Sequence, residues 1–162
     1  MLEAHFTELL EGYEVDSNLI EELWSEIITN YTKSNRHYHN LEHLEDLINQ
    51  LTQVKVKIDN WQVLLFTLFY HDIIYKSTKK DNEEKSARLA SNRMRQINAK
   101  ESDIQLCYNQ IIATKSHDAS RNSDTNYFTD ADLSILGREQ KEYKAYCQKI
   151  RKEYSIYPNF LY

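Results

Sequence analysis

The stretch from Trp61 to about Tyr75 is apolar on nearly every side, through Val63, Leu64, Leu65, Phe66, Leu68, Phe69, Ile73 and Ile74. A helix of that kind must be enclosed by other helices, whereas an amphipathic one needs cover on a single face. The apolar run is too short to span a bilayer, so the enclosure has to come from the rest of the folded chain. His71 and Asp72 sit inside the C-terminal part of this helix. Burying both there is costly unless they are paired with each other or bound to a cation.

Two glycines and one proline in 162 residues leave little for tight turns, hairpins or a glycine-rich phosphate loop. The expected fold is therefore all-α, a helical bundle in a single domain over 1–162, long enough to bury a core. A short helix is expected over 2–10, closed at Gly12. The next runs to Tyr31, opened by Asn18 and Glu21 in the manner of a capping box. Asn40 begins a third, with Leu44, Leu47, Ile48 and Leu51 inward, and Asp59 or Asn60 begins the central helix. Further helices are expected from Asp81 to about Met94, over 103–113, over 131–136 up to Gly137, and over 139–154 ahead of Pro158. The polar segment 115–126 reads as a long loop.

The formal charge is −5 with no Lys/Arg-rich stripe, which argues against binding duplex nucleic acid. No signal peptide or membrane span is evident. Cys107 and Cys147, far apart in apolar helical settings, read as buried free thiols, and a cytoplasmic location follows.

Tyr38-His39-Asn40-Leu41-Glu42-His43 places two imidazoles four residues apart, on one helix face. His71-Asp72 follows, and Ala131-Asp132-Leu133-Ser134 supplies a carboxylate from a distant element. Brought together, such groups make a mixed nitrogen and oxygen pocket for a divalent metal. A second His-Asp pair, His117-Asp118, lies in the polar loop, so the dipeptide alone carries little weight.

The order His43, His71-Asp72, Asp132 resembles the HD superfamily of metal-dependent phosphohydrolases. The Tyr-His-Asn-x-x-His and Ala-Asp-Leu-Ser wording is similar to that of its distant members, the cyclic-nucleotide phosphodiesterases. A closer resemblance is to small bacterial proteins described as HD-type phosphohydrolases. It rests on Arg36-His37-Tyr38-His39, Phe69-Tyr70-His71-Asp72, Asn82-Glu83-Glu84-Lys85-Ser86-Ala87, Ala113-Thr114-Lys115-Ser116-His117 and Asp130 to Gly137, and covers about 30–155.

The resemblance implies an HD-domain bundle with His43, His71, Asp72 and Asp132 as metal ligands. It also implies a small phosphorylated substrate, a nucleotide or another phosphomonoester or diester, attacked by metal-activated water. The metal would be Mn, Fe, Zn, Ni or Mg. The histidine that phosphodiesterases carry shortly after their His-Asp pair is missing, since Ile73-Ile74-Tyr75-Lys76 follows here. One firmly bound ion is therefore expected, with a second left open. By the same resemblance His39 donates a proton to the leaving oxygen, Glu83 orients the attacking water, and Asp72 has a catalytic as well as a ligand role. Arg36, Lys115 and His117 are candidates to bind the substrate phosphate.

The five tyrosines from Tyr143 onward read as helix packing. Related proteins commonly continue through another helix, whereas this sequence stops at the apolar Asn159-Phe160-Leu161-Tyr162, which a second subunit in a homodimer could cover. Two rival readings keep the scaffold and change the activity: a non-catalytic nucleotide- or partner-binding protein, and a metal-dependent oxygenase.

Overall fold

Every residue of the central segment from Val63 to Tyr70 is buried. In the computed structural model, which describes residues 1–157, this segment is most of α4 (Trp61–Tyr70). The helices ahead of it are α1 (Leu2–Glu11), α2 (Ser17–Tyr31) and α3 (Leu41–Gln53). Those after it are α5 (Asn82–Gln96), α6 (Glu101–Ala113), α7 (Ser123–Asp132) and α8 (Gln140–Glu153). Short 3-10 turns occupy Lys55–Lys57 and Ser134–Gly137, and no strand occurs among the described residues. Helices α1, α3, α5, α6 and α7 all pack on α4, as an all-round apolar helix requires. The fold is an all-α bundle around one core, with α1 and α2 contributing Phe6, Leu23 and Ile27.

Local chemistry sets the helix starts. The Asn40 side chain accepts from the N–H groups of Glu42 and His43 at 3.0 and 3.4 Å, satisfying donors that the first turn of α3 would otherwise leave free. Asn60 does the same for Val63 at 3.1 Å. The α2 cap is Asp16, bonded to the N–H groups of Asn18 and Leu19, so the expected capping box at Asn18 lies two residues too late. Gly12 closes α1 as expected, but with φ −62°. Its small size serves another end, because a Cβ there would lie 2.6 Å from the Gln62 side chain.

Three expectations need correction. The central helix ends at Tyr70, not Tyr75. The carbonyls of Asp72 and Ile73 are taken by the Arg36 guanidinium at 2.7 and 2.8 Å, and the Ile74 N–H donates to Ser86 Oγ. Helical bonding is therefore replaced by side-chain partners. The segment read as loop and then as a short helix over 131–136 instead holds α7, opened by the Asn122 side chain and buried through Asp124, Thr125, Phe128 and Thr129. Phe128 is its only fully apolar core residue, too thin a stripe to produce a helical hydrophobic period. Cys107 is buried as expected, but Cys147 is exposed on α8, one step round the helix from the half-buried Tyr146. Pro158 and the apolar ending fall outside the described residues. No helix among the described residues is long and apolar enough to cross a membrane.

Candidate metal centre

The N-terminal turn of α3, the end of α4 and the end of α7 meet at one point, each delivering a ligand-type side chain. His43, fixed by the Asn40 cap at the start of α3, is 4% exposed, and His71, the residue after α4, is 1% exposed. Ligand atoms of His43, His71 and Asp132 all lie within 4.8 Å of one another and could hold a metal ion. The two ring Nε2 atoms face each other at 3.3 Å. Asp132 Oδ1 lies 3.1 Å from His43 Nε2 and 3.9 Å from His71 Nε2. Asp72 stands beside this group rather than within it, its Oδ2 3.3 Å from His71 Nε2.

The donor set tests whether a cation suits the site. His71 Nδ1 lies 2.9 Å from the Leu68 carbonyl, a contact that only an N–H can make favourably. A neutral His71 therefore presents a bare lone pair at Nε2, aimed at a second imidazole nitrogen and two carboxylates. Lone pairs converging in a buried space repel unless a proton or a cation lies among them. In the metal-free chain a proton fills that need. Burial alone would lower the His71 pKa, but the Asp72 charge and hydrogen bond overcome it, with help from Asp132, and lift it to about 9. Burial would likewise raise the Asp132 carboxyl, yet hydrogen bonds from His117 and His43 hold it well below the ordinary carboxylate range. Two nitrogens and a carboxylate oxygen, with a second carboxylate adjacent, fit a divalent first-row metal.

His39 does not join this group. Its ring stacks on Tyr75 with centroids 4.2 Å apart, and its Nε2 lies 3.9 Å from Asp72 Oδ2. Its Nδ1 meets Glu153 Oε2 at 2.6 Å. Glu153 Oε1 accepts from the consecutive N–H groups of His37, Tyr38 and His39 at 2.7, 2.7 and 3.0 Å. Burial would raise this carboxyl, but the bond to His39 and the backbone donors hold it at about 2. Burial would lower His39 in turn, and the charge on Asp72 and the bond to Glu153 raise it instead. Glu153 escaped the sequence reading. Its signal was register: Tyr146, Ile150 and Glu153 follow i, i+4, i+7 on α8, which puts a carboxylate on the inward stripe.

A cavity of about 390 Å³ opens over these groups, lined by His39, Asp72, Glu83, Thr114, His117 and Asp132, with Tyr75, Tyr146, Ile150 and Tyr154 completing the wall. Glu83 reaches it from the first turn of α5. His117 holds Asp132 Oδ2 at 2.9 Å from a left-handed backbone position, φ 55°, so the two oxygens of Asp132 are divided between two imidazoles. Arg36 and Lys115 do not line the cavity. Arg36 is 5% exposed, and its guanidinium is taken by the carbonyls of His39, Asp72 and Ile73, where it ties the two ligand-bearing segments together. Lys115 bonds Glu84 and the Lys80 carbonyl.

Compared with known proteins, the chain matches no family model, no curated protein and no solved structure.

Proposed function

We propose that this chain is a metal-dependent phosphohydrolase of the HD type, acting on a small phosphorylated molecule. The observation that carries the reading is the convergence of His43, His71 and Asp132 on one buried point, with Asp72 beside them and the two carboxylates lining a cavity. A divalent ion held there would acidify a water molecule and offset the charge of a phosphoryl oxygen.

The chain's own residues account for the rest. Asp72 lies between the ligand group and His39, so a phosphorus atom over the site would have its leaving oxygen on the His39 side. As the bond from water oxygen to phosphorus forms and the bond to the leaving oxygen breaks, His39 Nε2 gives that oxygen a proton. Glu153 keeps Nδ1 protonated and the ring aimed, and with Asp72 it favours the doubly protonated imidazole that such a donor requires. Glu83, in the cavity lining, orients the attacking water.

The experiment is a screen of phosphoesters with Mn, Co, Ni and Mg, run on the wild type and on Asp72→Ala. Turnover that falls at least 100-fold in the variant, with the helical circular dichroism kept, is expected. Equal turnover in both proteins, or none in the wild type with any metal, would reject the assignment.

A further inference from the structure

Resting on that reading of the site, the cavity also limits what can enter it. No lysine or arginine lines it among the described residues, and residues 158–162 contain none. The two cations that the sequence offers as phosphate binders are committed elsewhere, Arg36 to backbone carbonyls and Lys115 to Glu84, and Arg138 and Lys149 line a separate pocket beside His43.

The charge over the floor can then be counted. One dication balances Asp72 and Asp132, and His39 is balanced by Glu153. Glu83 is left over, so the space is singly negative before any ligand arrives. Each charge a ligand carries beyond its first phosphoryl group meets Glu83 and no fixed cation, in a partly enclosed space where screening is weak. Sites built for di- and triphosphates supply lysine or arginine alongside the metal.

The rest of the lining has a different character. Tyr146, Ile150 and Tyr154 add half-buried, mainly apolar surface against which an aromatic ring can lie, beside the Tyr75 ring that His39 already covers. The volume of about 390 Å³ lies in the range of small-molecule sites and gives room for one phosphoryl group with one ring system.

We infer that the ligand carries a single phosphoryl group on an organic moiety with an aromatic ring, and that the site selects against polyphosphates. The test is equilibrium binding to the full chain in saturating Mn, by calorimetry, with AMP, ADP, ATP and ribose 5-phosphate. AMP is expected to bind at least tenfold tighter than ATP and tenfold tighter than ribose 5-phosphate. In Glu83→Gln the ATP affinity should rise about tenfold and that of AMP less than threefold.

ATP binding as tightly as AMP, an unchanged gap in Glu83→Gln, or no binding of any probe to a chain that holds Mn would each overturn the inference. Ribose 5-phosphate matching AMP would overturn the aromatic-ring requirement. Product formation is followed separately, so binding in the expected order without turnover would remove the hydrolase reading and leave this one standing.

Discussion

His39 and Glu153 form the contact whose chemistry is most exposed to test. If the carboxylate keeps His39 ready to protonate a leaving oxygen, the effect of Glu153→Gln should depend on the leaving group. Gln keeps the size and an oxygen for the three backbone donors, but the NH2 group then left facing Nδ1 cannot accept its proton. The variant should lose about 100-fold in kcat on an alkyl phosphate, whose leaving oxygen needs the proton, and less than fivefold on 4-nitrophenyl phosphate, which leaves without one. Equal losses on both would mean that Glu153 only supports the fold. His71 gives a second prediction. Its folded pKa of about 9 lies above the ordinary 6.5, so its protonation stabilises the metal-free chain fully below pH 6.5, and that contribution disappears as pH rises through 9. Thermal melts of metal-free protein should fall by roughly 5–10 °C across that window, and His71→Gln should flatten the profile.

At the scale of elements, the site is held by devices that span the chain. Arg36 joins the segment before α3 to the segment after α4 through three carbonyls. Arg36→Ala leaves those acceptors buried without a donor and should cost about 3 kcal/mol, read from urea midpoints. Arg36→Lys should recover little, since one ammonium cannot reproduce the planar fork. Such devices also mark where the sequence was legible. The all-round apolar α4 and the Asn40 cap could be read because each is a local pattern, with Asn60 one of two candidates for the start of α4. The end of α4 at Tyr70, the role of Arg36 and the existence of α7 could not, because long-range partners decide them: Asp124 caps the N–H groups of Asp59 and Asn60, more than 60 residues earlier.

For the whole molecule, a chain with two glycines turns its corners on side-chain caps and reaches the left-handed region with Glu14, Asn98 and His117. The candidate ligands were visible in the sequence as an ordered set of residue types, and the bundle brings three of them within 4.8 Å, with the fourth adjacent. His117, a candidate phosphate binder by sequence, lines the cavity and meets Asp132 through its Nε2. Glu153, from the last described helix, stayed hidden because nothing near it in sequence shares its purpose. The central claim, that these remote side chains form one metal site, is tested most directly by titrating metal-free protein with Mn or Co in a calorimeter, alongside His71→Ala and Asp132→Ala. One ion bound firmly per chain, with affinity falling at least 100-fold in either variant while the helical signal persists, is the expected result. No ion bound by the wild type, or affinity indifferent to both substitutions, would contradict it.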